Sequence, residues 1–311
     1  MPLHPVIQQA LAMGAGLPAY SEIPIAQARA QAMAPYLGAK SPVAVAVAAV
    51  RDLAIGGPGG PLPVRVYTPP GAGPHPVLVF FHGSGFVVLG LDSHDDLCRR
   101  LCAGASCVVV SVDYRLAPEH KFPAAPDDCL AATRWAADNA GEFGGDASRM
   151  ALAGDSAGAC LAAVTALRLR DEGGPGLCGQ LLFYPVTDYP SVLPQSYHTC
   201  ATGYGLTSAG MLWFWEQYLP NLGAGANPHA SPLRMATPAG LPAAYVVVAE
   251  YDVLRDEGEA YARRLNAAGI PAVSRCASAM NHGFLKFAGV IPEVRAEIDA
   301  ACQWLDGVLR A

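Results

Sequence analysis

One stretch joins a buried strand pattern to a helical one through a serine: Met150-Ala151-Leu152-Ala153-Gly154-Asp155-Ser156-Ala157-Gly158. A serine hydroxyl becomes a nucleophile when it stands clear of the backbone beside a base, and a tight strand-to-helix turn lifts it clear. Glycines two residues before and two after Ser156 let strand and helix approach where a Cβ would collide. The helix start at Ala157 adds a backbone N–H and a positive dipole end beside the hydroxyl. Gly, Ala and Ser are common in this chain, so the pattern alone also describes an ordinary glycine-rich corner. What discriminates is whether the chain supplies a base, an acid and an oxyanion site at matching places.

Strand-like runs cover 43–54, 62–68, 77–82, 106–112, 149–153, 179–184, 243–249 and 271–277, and several are near-continuous apolar stretches such as Cys107-Val108-Val109-Val110. Such runs suit strands covered on both faces. Helical patterns at 93–104, 126–140, 157–170, 255–268 and 291–309 alternate with them, which predicts a doubly wound α/β sheet whose first two strands are antiparallel. Helical patterns at 4–13 and 24–37 precede the sheet. An aromatic-rich stretch, Thr207 to Tyr218 with Trp213, Phe214 and Trp215, interrupts the alternation within 189–225. These two pieces are either packing arms or parts of a lid.

In open α/β sheets ligands bind beyond the carboxyl ends of the strands, so polar groups just after strand runs are the ones to inspect. Beside Ser156 there are three. His82-Gly83-Ser84-Gly85-Phe86 is small enough for backbone N–H groups to point into open space, as an oxyanion needs. Glu250-Tyr251-Asp252 brings a carboxylate that can orient an imidazole; Asp252 is favoured, Glu250 is read as structural, and Asp256 and Glu257 as first-turn carboxylates capping the next helix. His282 follows the last strand run, while His4, His75, His94, His198 and His229 are read as solvated and His82 and His120 as parts of other motifs. The chain order Ser156, Asp252, His282 is the one that α/β-hydrolases use.

With these residues in view the chain resembles the bacterial hormone-sensitive-lipase-like esterases, family IV of the α/β-hydrolases. The resemblance runs from about Pro76 to Phe284 through His82-Gly83-Ser84-Gly85, Asp113-Tyr114-Arg115-Leu116-Ala117-Pro118-Glu119-His120, Gly154-Asp155-Ser156-Ala157-Gly158 and Asp252-Val253-Leu254-Arg255-Asp256-Glu257-Gly258, closed by His282-Gly283-Phe284. It implies an α/β-hydrolase fold with a mostly parallel eight-stranded sheet and a helical cap: residues 1–45 as the first cap piece, 46–188 as core, 189–225 as the cap insertion and 226–311 as the rest of the core. It implies a carboxylesterase with Ser156, His282 and Asp252 as triad, and Gly83, Ser84 and Ala157 as oxyanion donors, Gly85 being able to replace one of the first two. Amide or lactone hydrolysis would use the same triad, and a non-catalytic relative such as the plant gibberellin receptors lacks the histidine that this chain keeps. Where the family has the second glycine of HGGG this chain has Ser84. A serine keeps the N–H, but a positive φ there would cost about 1 kcal/mol or more, and its hydroxyl would narrow the pocket or add a donor. Arg115 and Glu119 are expected in ion pairs beneath the site.

The 311 residues carry 52% hydrophobic and 15% charged side chains with a net charge of −6 and no Lys/Arg cluster. Disorder, a nucleic-acid surface and a polybasic membrane patch are therefore disfavoured. Neither a signal peptide nor a transmembrane run is visible, and nine cysteines without a CxxC pair suit core filling in a reducing cytoplasm. No metal or organic cofactor is implied, and the partner expected is a small-molecule ester. The last strand, near 271–277, should lie at a sheet edge, where the resembling family often forms homodimers.

Overall fold

The computed structural model describes residues 2–38 and 44–311. Its eight strands are β1 (Ala49–Gly57), β2 (Gly60–Thr68), β3 (His75–Phe81), β4 (Val108–Val112), β5 (Gly145–Asp155), β6 (Gly179–Phe183), β7 (Ala243–Tyr251) and β8 (Ala272–Asn281). They form one sheet in the order β1-β2-β4-β3-β5-β6-β7-β8. β1 and β2 make the expected antiparallel start, β2 meets β4 antiparallel, and every later pairing is parallel. The first strand starts later than its Val alternation suggests. β2 ends at Thr68, which already pairs with Ala49, so residues 44–47 have no strand to join; Val43 lies outside the described residues.

The period-two rule divides the core. Val77, Val79 and Phe81 of β3 pack on one face with α4 (Ala124–Asp138), α5 (Ala157–Glu172) and α8 (Arg255–Ala267). Leu78 and Phe80 pack on the other with α3 (Asp95–Gly104) and α9 (Pro292–Arg310). Both faces are covered, which is why the strands read as unbroken apolar runs. Seven of the nine free cysteines are buried in this core.

Four helices remain: α1 (Pro5–Met13) and α2 (Ile25–Gly38) before the sheet, and α6 (Gln195–Thr199) and α7 (Ser208–Tyr218) between β6 and β7. The two regions meet: the Tyr20 ring lies 6.2 Å from Trp213 and 5.9 Å from Phe214. Arg29 of α2 donates to the carbonyls of Val87 and Ala117 and pairs with Glu119 at 2.6 Å, while Arg115 pairs with the buried Asp128 at 2.8 Å. Both predicted ion pairs of the 113–120 stretch are thus present.

Asp256 and Glu257 lie in the first turn of α8, yet their side chains do not cap it. Asp256 accepts from Ser196 N–H at 2.7 Å, and the buried Glu257 accepts from Thr187 N–H at 2.7 Å with Tyr197 Oη 3.3 Å away. They tie the chain leaving β6 to α8, because the loop's unpaired N–H groups need acceptors more than the helix end does. Burial, the largest cause, pushes the Glu257 carboxyl well above its ordinary value of 4.5. A raised native pKa contributes stability that is present below the unfolded value and lost as pH rises through the folded one. Glu257→Gln, which keeps the acceptor, should therefore raise Tm, and by more at pH 8 than at pH 5. An equal gain at both pH values would refute this account of Glu257.

Candidate active site

β5 turns into α5 at Ser156, whose φ of 55° and ψ of −122° lie where non-glycine residues are rare. Such a conformation costs about 1–3 kcal/mol and persists only where the surroundings over-determine it. Here they do. Ser156 N–H donates to Phe183 O at 2.8 Å, and a Cβ at Gly158 would collide with the Phe81 carbonyl. The first turn of α5 therefore rests directly on the end of β3.

Asp252 follows β7 and His282 follows β8, so both arrive at the level of Ser156. His282 Nε2 lies 2.8 Å from Ser156 Oγ, and its Nδ1 lies 2.7 Å from Asp252 Oδ2. The other Asp252 oxygen accepts from Leu254 N–H at 2.9 Å, and the carboxylate is 1% exposed. With both oxygens occupied the carboxylate is held in one orientation, and so is the ring it faces. Glu250 instead accepts from Ala279 N–H at 2.7 Å, away from the imidazole.

The 82–85 loop requires a correction. Gly83 N–H is donated to Asp155 Oδ1 at 2.6 Å, so it is not available to a substrate oxygen. The N–H groups of Ser84, Gly85 and Ala157 have no acceptor among the described residues. Ser84 is free of the backbone strain a positive φ would bring, since the positive φ falls on Gly85, at 54°. Its hydroxyl neither enters the pocket nor adds a donor there. It accepts from Phe86 N–H at 2.8 Å and lies 2.6 Å from Tyr114 Oη, which donates to His82 O.

His94 is not solvated. It is 4% exposed, with Nε2 3.0 Å from Asp155 Oδ1 and Nδ1 2.8 Å from Ser93 Oγ. A signal was present: His94 shares the helical face of Leu97, Cys98 and Leu101, all buried. Burial pushes the Asp155 carboxyl up, but His94 and Gly83 N–H outweigh it and hold the pKa below the ordinary value. His82 meets a carboxylate only at longer range, with Nε2 3.8 Å from Asp113 Oδ1, and burial followed by the nearby His94 pushes its pKa down to about 3. Tyr184 donates to Asp155 Oδ2 at 3.3 Å and sets its ring edge-on 4.8 Å from that of His282. Beyond these residues lies a cavity of about 290 Å³, lined by Tyr36, His94, Asp155, Tyr184, Leu285 and Lys286 among others.

A hydroxyl, an imidazole and a carboxylate in line, facing unpartnered N–H groups at the ends of parallel strands, equip this site for acyl transfer. Comparison with known proteins agrees: a family model described as the alpha/beta hydrolase fold matches residues 78–286. The chain belongs to the α/β-hydrolase family, in its hormone-sensitive-lipase-like branch. It is 46% identical over 248 residues to the esterase LipI of Mycobacterium tuberculosis, covering 78% of this chain and 77% of that one. Among solved structures, an esterase of Pyrobaculum calidifontis is 38% identical over the whole of both chains, with a TM-score of 0.91. A thermostable esterase from Pseudomonas putida is 37% identical, covering 100% of this chain and 98% of the other, with a TM-score of 0.93.

In this α/β hydrolase the Ser84 hydroxyl makes a tie between the loop and Tyr114. Ser84→Ala leaves the Phe86 N–H without its acceptor, and a buried unsatisfied donor costs about 1–3 kcal/mol. Urea unfolding should report a loss of that size. Unchanged stability would mean that the tie contributes nothing.

Proposed function

We propose that this α/β hydrolase is a serine carboxylesterase acting through an acyl-enzyme. The observation that carries the proposal is the unbroken line from Ser156 Oγ to His282 to Asp252, at 2.8 and 2.7 Å. His282 donates its Nδ1–H to Asp252, which leaves Nε2 to take the Ser156 proton as Oγ attacks the ester carbonyl. The carbonyl oxygen becomes an oxyanion held by the N–H groups of Ser84, Gly85 and Ala157. The imidazolium then gives its proton to the leaving alcohol, and water repeats the cycle on the acyl-enzyme.

Helices α1 and α2 with the 189–225 segment serve as the cap. Phe214 supports this, since a side chain at Gly85 would run into its ring, which seats α7 on the donor loop. Together with Tyr20 and Trp213, it favours uncharged acyl groups of short to medium length. No described helix is long and apolar enough to cross a membrane, and nine free thiols fit a reducing cytoplasm. A homodimer through β8 is the expected assembly, since that strand pairs on one side only. A monomeric mass in solution at micromolar concentration would exclude it.

Wild type should hydrolyse p-nitrophenyl acetate through octanoate faster than the laurate and take up one organophosphate on Ser156. Ser156→Ala should abolish both, and Asp252→Asn should lower kcat by about 10⁴-fold. Glu250→Gln should change kcat little. Unchanged activity in Ser156→Ala would remove the serine from its role, and a larger loss in Glu250→Gln than in Asp252→Asn would exchange the two carboxylates.

A further inference from the structure

Ser93, His94 and Asp155 form a second hydroxyl–imidazole–carboxylate line, with spacings of 2.8 and 3.0 Å. It is not a second nucleophile. The Ser93 hydroxyl donates to Gly90 O at 2.6 Å and accepts from Gly90 N–H at 3.2 Å, so its proton is committed within its own turn. His94 Nδ1 must then donate to Ser93 Oγ, while Nε2 donates to Asp155. The imidazole is thus held between the Ser93 turn and a buried carboxylate.

Asp155 in turn links several parts of the site. It precedes Ser156 in the chain, its Oδ1 accepts Gly83 N–H at 2.6 Å, and its Oδ2 accepts Tyr184 Oη, whose ring abuts His282. A Cβ at Gly83 would collide with the carboxylate, so loop and carboxylate are in close contact. Resting on the esterase assignment, we propose that the Asp155–His94 pair is a positioning device for the oxyanion hole. The pair fixes the Gly83 amide and thereby aims the next two N–H groups, those of Ser84 and Gly85, at the carbonyl that Ser156 attacks. Without His94, Asp155 is a buried carboxylate lacking its imidazole donor, free to turn toward solvent through the adjoining cavity that both residues line. The loop would then lose its anchor while Ser156, His282 and Asp252 keep their contacts.

The test compares His94→Ala and His94→Gln with wild type. Gln retains an N–H donor that can reach Asp155. Misplacing catalytic groups by about 1 Å costs on the order of 100-fold. His94→Ala, corrected for active sites by titration, should therefore lose about that factor in kcat on p-nitrophenyl butyrate. KM should be nearly unchanged, as should ester affinity in the Ser156→Ala background. Affinity for a trifluoromethyl ketone, which forms the oxyanion, should fall in parallel with kcat, and His94→Gln should recover most of both. In NMR spectra the Gly83 amide proton should move upfield in His94→Ala and return toward its wild-type position in His94→Gln.

A merely structural role would lower the titrated active fraction and leave kcat per active site and the ketone affinity unmoved; that result overturns the proposal. So does an unshifted Gly83 amide in His94→Ala. A wild type that hydrolyses no ester would instead overturn the esterase assignment, and the Gly83 shift would still report whether His94 holds the loop.

Discussion

Between β5 and α5 the chain reverses within one residue, and Ser156 accepts an unfavourable backbone conformation to make that possible. The turn holds because the elements beside it leave it no room to relax. A Cβ at Gly154 would strike the Gly158 backbone, and one at Gly158 would strike Phe81. The small residues of α5, among them Ala157, Ala159, Ala162 and Ala163, are buried, so the helix sits close to the sheet. Any relaxation of the serine would have to move a close-packed helix, and dense interiors transmit such strain rather than absorb it. The nucleophile's position is therefore a property of the central sheet, and the other groups must come to it.

They come by different local devices. His282 follows an irregular stretch of β8: Ala249 pairs with Ala277, yet Tyr251 pairs with Asn281, so β8 carries extra residues between them. Ala279 takes a φ of 60° in that stretch, and Glu250 accepts its N–H. A bulge of this kind bends a strand and re-aims the residues beyond it. Glu250 is thus structural in a specific sense, because it pins the bulge that delivers the imidazole. Asp252, two residues further along, meets the imidazole so delivered.

The strands, their order in sequence and the residues just beyond their ends were legible because burial on two faces writes itself as apolar runs and the chain returns to one edge after each helix. The order Ser156, Asp252, His282 could be read for the same reason. Which polar group would reach which was not legible. Gly83 and Asp155 are 72 residues apart, and nothing in either segment announces that one amide will be taken by the other's carboxylate. Glu257 resembles a helix cap because its position in α8 is local information, whereas the N–H of Thr187 that it serves comes from a distant loop. His94 misleads most. Its helical face is available from the spacing, but a histidine beside Ser93 and three nearby aspartates reads as polar surface until the partner Asp155 is known.

Two buried histidines near the nucleophile divide the electrostatic work. His82 stacks on Tyr114 with ring centroids 4.3 Å apart, and its low pKa leaves it neutral, so it packs as an aromatic ring at the root of the loop. A charge there would lie beside His94, 5.6 Å away between ring centroids, and compete with it for Asp155. Keeping His82 neutral leaves His94 as the imidazole partner of Asp155, whose remaining acceptor capacity goes to Gly83 and Tyr184. The carboxylate next to the nucleophile is in this way spent on geometry, and the negative charge that acyl transfer develops is left to the N–H groups of Ser84, Gly85 and Ala157.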